Sequence, residues 1–308
     1  MAISRAQLVK ELEPGLNALF GLEYKSYANE HAEIFDTESS DRAFEEEVML
    51  SGFANAAVKP EGQGVQFDDA QETFTARYTN ETIALAFAIT EEAIEDNLYD
   101  RLASRYTKAL ARSMANTKQV KAAAVLNNGF NNTFAGGDGV SLFGNGAGNA
   151  IVNHPTMAGT FSNQLQTPAD LNETSLEQAL IDVAAMTDER GLKIAARGMK
   201  MVIPSALQFT ADRLMKSEGR TGTADNDINA IRNMGMIPQG YTVNHYLTSA
   251  KKWFIKTDVP NGLKHFVRAP IKTTMEGDFD TGNVRYKARE RYVFGFSDPR
   301  GIFGSQGA

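Results

Sequence analysis

From Ile94 onward, apolar side chains return every fourth residue, at Ile94, Leu98, Leu102, Tyr106, Leu110 and Met114. The pattern persists with weaker periodicity through Val125 and Leu126, and Asn127, Asn128 and Gly129 then stop it. At the other end Thr90 is a capping residue, and Glu91, Glu92 and Glu95 place negative charge at the positive end of the helix dipole. A continuous helix over residues 91–128 is on the order of 50 Å long at 1.5 Å per residue. No compact domain of a 308-residue chain needs such a rod for its core alone. The rod reads as the strut of an extended subunit.

The segments before the rod are poor in core residues. Ser4 and Gln7 have capping-box spacing, and Leu8 and Leu12 share a helical face until Pro14 ends or restarts the helix. Leu16, Leu19, Phe20 and Leu22 continue an apolar stripe on a segment too short to make its own core, so another element must cover it. Residues 30–47 are acidic and read as a solvated surface. From residue 50 to 89 the character changes. Gly52, Pro60, Gly62 and Gly64 punctuate the start, and Phe74-Thr75-Ala76-Arg77-Tyr78-Thr79 alternates with period two, which predicts a β-hairpin region. A two-stranded hairpin is marginal alone in water, so this one is expected to rest on a helix or on another subunit.

After the rod comes a glycine-rich loop from Gly136 to Gly148. Thr174 and Glu177 have capping-box spacing and open a helix bearing Leu176, Leu180, Ile181 and Val183, which is expected to stop at Gly191. Met199–Ile203 reads as a buried strand ending at Pro204, Ala206–Met215 as a helix, and residues 218–226 as a polar loop. Strand signals then dominate, at Tyr241–Val243, Trp253–Ile255, His265–Val267 and Tyr292–Phe294. The expected class is mixed α+β.

Composition removes several functions. A net charge of −7 argues against wrapping nucleic acid, because such binding needs clustered Lys and Arg to release counterions. With no cysteine, thiolate metal sites, disulfides and thiol nucleophiles are excluded. The first eight residues lack an apolar signal core and no stretch approaches the roughly 20 apolar residues that span a bilayer, which predicts a soluble protein made in the cytoplasm, with no membrane partner. Gly144, Gly146 and Gly148 lack the phosphate-binding lysine and the dinucleotide spacing, and there is no Gly-x-Ser-x-Gly or His-Glu-x-x-His. The four histidines, His31, His154, His245 and His265, read as structural, since no two share a helical face at ligand spacing. Asp68-Asp69 sits in a turn-like segment, and Glu91-Glu92 explains itself as helix N-terminal charge. No catalytic residue, cofactor site or metal site is expected.

The order of arm, extended hairpin, long helix, mixed domain and strand-rich end resembles the Hong Kong 97-type major capsid fold of tailed bacteriophages. Specific segments carry the resemblance to the branch with Mu-like head subunits. They are Lys59-Pro60-Glu61-Gly62-Gln63-Gly64 with Phe67-Asp68-Asp69-Ala70, Ile89-Thr90-Glu91-Glu92 with Glu95-Asp96-Asn97-Leu98-Tyr99, Asp138-Gly139-Val140-Ser141-Leu142-Phe143, and Asn153-His154-Pro155 with Ser162-Asn163. The resemblance covers nearly the whole chain. It implies an N-terminal arm at 1–35, an extended loop at 36–83, a peripheral domain at 84–190 and 264–290 with the spine helix at about 91–128, and an axial domain at 191–263 and 291–308.

It further implies a subunit that self-assembles as hexamers and pentamers into an icosahedral shell around phage double-stranded DNA, located in the virion after synthesis in the host cytoplasm. The implied partners are copies of itself, a portal protein, a separate scaffolding protein and, in some shells, a decoration protein, with DNA near the shell but not specifically bound. An encapsulin-like nanocompartment shell is the alternative. An arm and hairpin that cannot bury their apolar faces internally must bury them on neighbours, which makes Leu8, Leu12, Lys59, Phe74 and Tyr78 candidate inter-subunit contacts. In the founding member of the fold a loop lysine forms an isopeptide bond with a neighbour's asparagine; the resemblance makes Lys59 the candidate lysine, with Asn283 or Asn261 as its acceptor. Otherwise Lys59 is a rim charge that pairs with a neighbour's carboxylate.

Overall fold

The computed structural model describes residues 5–90, 92, 99–144, 151–220, 227–278 and 282–308, with backbone alone for 5–12 and 99–102. Within these bounds the rod is present. Helix α2 (Tyr99–Asn127) has 29 residues, about 44 Å at 1.5 Å per residue. It buries a narrow stripe rich in small residues, Ala103, Leu110, Ala111, Met114, Ala115, Ala122, Ala123 and Leu126, which lets neighbouring backbones approach closely. Tyr106 belongs to the four-residue ladder but is half exposed, because a strict four-residue step drifts around a 3.6-residue helix. Ile94, Glu95 and Leu98 lie outside the described residues.

Helix α1 (Arg5–Ser26) continues through Pro14, where the sequence predicted an end or restart of the helix. Proline removes one backbone hydrogen bond to the preceding turn, and packing holds the helix on the C-terminal side of that loss. Leu16 and Phe20 are buried against Leu110, Met114, Tyr286 and Ala288 of the same chain. Leu16 and Phe20 of the arm helix are therefore covered internally, against the expectation that a neighbour must cover them, whereas Leu22 of the same stripe is exposed.

The acidic stretch assigned to a solvated surface instead carries structure. Ile34 and Phe35 are buried within it, and it contributes strands β1 (Asp36–Ser39) and β2 (Phe44–Leu50). Its carboxylates mislead a composition reading because they lie on the solvent side of strands whose hydrogen bonds go elsewhere. β2 pairs antiparallel with β3 (Glu72–Thr79), so the hairpin's first strand starts before residue 50 and its connection is residues 51–71. β4 (Glu81–Ile89) leaves the hairpin for another sheet.

That sheet has the order β1, β10 (Leu263–Gly277), β11 (Val284–Phe296), β4, with β1 parallel and the rest antiparallel. Helices α1 and α2 cover one of its faces, meeting Ile83, Phe87, Ile271, Met275 and Tyr286. A second sheet has the order β12 (Ile302–Ser305), β9 (Trp253–Thr257), β7 (Gly198–Ile203), β8 (Tyr241–Val243), with a small hairpin of β5 (His154–Thr156) and β6 (Gly159–Phe161) nearby in sequence. Its core joins Met201, Ile203, Trp253, Ile255 and Phe303 to helix α3 (Glu173–Ala185) and helix α4 (Gln208–Lys216). A short helix α5 (Ala230–Asn233) follows α4.

Two details of α3 differ from expectation. Its cap is Asn172 in a box with Ser175, two residues earlier than Thr174 and Glu177 implied, and it ends at Ala185. Leu176, Leu180 and Val183 are buried, whereas Ile181 is exposed on the opposite face.

Candidate assembly surface

The base of the extended loop is fixed by Tyr78. Its ring lies edge-on to Phe266 at 4.9 Å, its hydroxyl shares a hydrogen bond with Ser297 Oγ, and Ser297 in turn donates to Glu47 of β2. Burial drives the Tyr78 hydroxyl far above its ordinary pKa, and the negative charges of Glu47 and Glu38 add to the effect. Lys264, nearly enclosed, bridges Glu38 of β1 and Glu47 of β2, the second at 3.1 Å. Glycine permits the last close contact: a Cβ at Gly137 would lie 2.5 Å from the Thr75 carbonyl oxygen, so the glycine-rich loop presses directly on β3.

Beyond this base, the connection is held at its two ends. Ser51 donates its backbone N–H to Gln71 O at 2.8 Å, Ala54 N–H reaches Asp68 at 2.7 Å, and Arg190 donates to Asp69 O at 2.6 Å. Between those ties the chain exposes large apolar side chains. Val58 is 93% and Phe67 97% exposed, and Leu50, Phe53 and Val65 are also open. Gly62 adopts φ +79°, the turn conformation that lets the chain reverse beside Pro60. Exposed apolar groups of this size on a tethered loop mark an interaction surface.

The buried polar clusters serve the frame. Asp138 and His154 bond at 2.5 Å in the interior, and Asp138 also accepts from Val140 N–H. Asn163 donates to the carbonyls of Leu142, Pro299 and Ile302 at 2.7, 2.8 and 3.2 Å. Between them Phe143 stacks on Phe130 and Phe254, with centroids at 4.5 and 5.2 Å. The Asp-Gly-x-x-Leu-Phe and His-Pro segments are thus the hub that ties α2 to the second sheet. Arg300 bonds Glu189 at 2.7 Å, Asp298 at 3.3 Å and Thr187 O at 2.8 Å, all inside the protein. Burial raises the Asp298 carboxyl, against the pull of Arg300.

His31 and His265, far apart in sequence, meet edge-on at 5.2 Å, and His265 stacks on Phe294 at 4.2 Å. Burial lowers both imidazoles, with the charge of Lys118 acting in the same sense, and His265 falls to about 3. Beside them, burial raises the Glu290 carboxyl, which Lys118 at 3.1 Å and the Tyr24 hydroxyl at 3.3 Å partly compensate. Among the described residues no group of three or more His, Asp or Glu side chains is placed to hold a metal ion. None of the described helices is long and apolar enough to cross a membrane.

The family described as phage capsid protein has a model that matches residues 72–304 of the chain. The chain belongs to this phage capsid family. No curated protein matches the sequence. Among solved structures, the capsid of an empty GTA particle aligns with a TM-score of 0.57 at 13% identity, covering 92% of this chain and 91% of that one. The virus-like particle from Pyrococcus furiosus aligns at 0.53 and 11% identity, covering 95% and 98%. The procapsid subunit of bacteriophage JBD30 aligns at 0.52 and 15% identity, covering 98% of this chain and 76% of that one. The fold is the α+β capsid fold of the Hong Kong 97 type, and the protein is a major capsid shell protein of the virion. Encapsulin-like identity gains no better support from these matches.

In this capsid subunit the expected contact residues separate. Lys59 is on the exposed loop, where it is open to a neighbour. Phe74 is half-buried and lines a cleft with Glu47, Val48, Met49, Asn261, Ser297 and Asp298. Tyr78, expected at a subunit contact, is 3% exposed, since its ring is spent on Phe266 and its hydroxyl on Ser297. Leu8 and Leu12 lie in the backbone of α1, and their side chains fall outside the described residues. Of the exposed Phe53, Val58, Val65 and Phe67, the sequence marked only Phe67, and only within the extended-loop resemblance, not as a contact. Their signal was available: large apolar residues inside a stretch otherwise rich in Gly, Gln and Asp.

Proposed function

We propose that this capsid protein closes into an icosahedral shell of hexamers and pentamers around double-stranded DNA, with each extended loop seated on the adjacent copy. The observation that supports this reading is the loop at 51–71, whose Phe53, Val58, Val65 and Phe67 are open to solvent while its base is anchored by buried bonds. Such a loop gains burial only from another molecule, and a head-to-tail contact between different surfaces of identical copies closes into rings and shells. Lys59 contributes a charge on the same loop. A portal protein, a separate scaffolding protein and, in some shells, a decoration protein complete the reading, and the chain acts without catalysis of its own. The division into an N-terminal arm, an extended loop and peripheral and axial domains belongs to the same proposal.

The test replaces residues 53–67 by a short Gly-Ser linker and compares the two proteins by circular dichroism and negative-stain electron microscopy. The expected result is native-like secondary structure in both, with closed shells from the unmodified protein alone. Shells of normal size and yield from the shortened protein would overturn the role of the loop.

A further inference from the structure

The face of the long sheet turned away from α1 and α2 is cationic, although the whole chain carries a net charge of −7. Strand alternation causes this segregation. On β11, Tyr286, Ala288, Glu290 and Tyr292 turn inward and are buried, which sends Arg285, Lys287, Arg289 and Arg291 to the other side. On β10, Lys272 and Thr274 turn the same way, and Lys272 stands directly opposite Arg289 in the register. Like charges opposed across an antiparallel pair cost stability. The bare subunit draws nothing from this arrangement. On the adjacent edge strand, Ala84, Ala86 and Ala88 stand beside Arg289, Lys287 and Arg285, so only methyl groups flank the row and it stays open.

One carboxylate of β10, Glu276, shares this face and stands opposite Arg285 at the end of the row, whereas several others are engaged elsewhere. Asp36 pairs with Lys256, Glu38 and Glu47 with Lys264, Glu46 with Arg77 and Asp68 with Arg190. Arg285 pairs with Asp278 at 2.5 Å. Lys272, Lys287 and Arg289 are exposed and have no ion pair among the described residues. Cations at alternate residues of one strand are spaced by about 6.7 Å, with Lys272 widening the row sideways. An exposed row of regularly spaced positive charge suits a regular polyanion.

We infer that this open sheet face binds the phosphate backbone of double-stranded DNA, without sequence preference, through Lys272, Lys287 and Arg289. The inference rests on the shell reading in one respect, that DNA is the polyanion the assembled protein meets. It refines the composition argument: the net charge excludes wrapping by the whole surface, whereas binding depends on local cation density. Over the rest of the chain Asp and Glu outnumber Lys and Arg, so net charge supplies no general attraction to a polyanion.

The test uses the full-length, unassembled protein and a fluorescent 30-base-pair DNA duplex of mixed sequence, followed by anisotropy between 50 and 200 mM NaCl. Three phosphates neutralised give a slope of log K against log salt of about −2.7, a loss of affinity of roughly 40-fold over this range. The triple variant Lys272→Gln, Lys287→Gln, Arg289→Gln is expected to bind more weakly at every salt and to lose most of that slope. The comparison variant Arg105→Gln, Lys108→Gln, Arg112→Gln removes equal charge from the exposed side of α2 and is expected to keep the slope. Equal slopes for the unmodified and sheet-face proteins, or equal losses in both triple variants, would overturn the assignment. So would unchanged DNA binding by the sheet-face variant together with failed assembly, which would make the face a contact for an acidic protein segment. Shell formation, scored separately by electron microscopy, reports on the capsid reading whatever the DNA result.

Discussion

Acid should loosen the joint between the arm, the spine helix and the long sheet before carboxylate protonation does, and His265 is the group that decides it. Its ring is 2% exposed, stacked on Phe294 at 4.2 Å and edge-on to His31, with Nδ1 within 3.2 Å of the Thr37 hydroxyl. Burial, then the charge of Lys118 and then His31, lowers it from 6.5 to about 3. A histidine whose folded pKa lies below its unfolded value is stable as the neutral ring. Its contribution is complete above about pH 6.5 and is lost as pH falls from there toward the folded pKa. At 1.36 kcal/mol per pH unit, lowering the pH from 6.5 to 5.0 costs about 2 kcal/mol at this residue alone. His31 is lowered as well and adds in the same direction. Glu290 has the opposite sign: burial raises it, so the folded state takes up its proton earlier and recovers part of the loss in acid. Urea unfolding of the unassembled protein at pH 7.5 and 5.0 measures the sum, and His265→Phe isolates the term. The variant keeps an aromatic ring on Phe294 and leaves the exposed Thr37 hydroxyl to water. The unmodified protein should lose about 2 kcal/mol more than the variant between the two pH values. An identical loss in both would refute the argument, because the acid sensitivity would then reside elsewhere.

Arg300→Met should cost about 3–5 kcal/mol in urea unfolding, since it leaves Glu189 and Asp298 buried without their cation. Gly137→Ala should lower thermal stability by about 1–3 kcal/mol, because the added methyl meets the Thr75 backbone at 2.5 Å and that strand can yield only by moving the loop base. Pro14→Ala should stabilise α1 by up to about 3 kcal/mol, restoring the missing backbone bond, and is read by the same melts. Denaturing gel electrophoresis of mature particles tests covalent chemistry at Lys59: ladders that vanish in Lys59→Arg support an isopeptide bond, and monomer bands alone end that idea.

The sequence made the rod and the late strands legible because each writes its own periodicity: the four-residue ladder for α2, and short β-branched and aromatic runs for β7, β9, β10 and β11. It hid what depends on distant partners. The acidic run at 30–47 looked like loop because Ile34 and Phe35, the two residues that bury it, are outnumbered by carboxylates on the exposed side. The hairpin partner of Phe74–Thr79 was misplaced for the same reason, since β2 reads Phe-Glu-Glu-Glu-Val-Met-Leu. Pro14 was weighed as a local breaker, whereas Leu16 and Phe20 anchor the helix through tertiary contacts. Tyr78 sat correctly on a strand, but no local pattern says which side of a hairpin meets Phe266. The cationic sheet face was invisible to a net-charge argument, although the alternation of basic residues from Arg285 to Arg291 writes it out.

The extended loop is also a lever with two unequal roots. Its chain leaves the long sheet from β1 at one edge and returns through β4 at the other, so any pull that a neighbour exerts on the loop divides between the two edges. β4 holds β11 through nine antiparallel residue pairs, whereas β1 holds β10 through four parallel ones. Tension from a shell swelling under internal pressure would therefore peel β1 first and leave β4 attached. The subunit would lengthen on the arm side before it tore, and Lys264, bridging β1 to β2, would be the rivet under load.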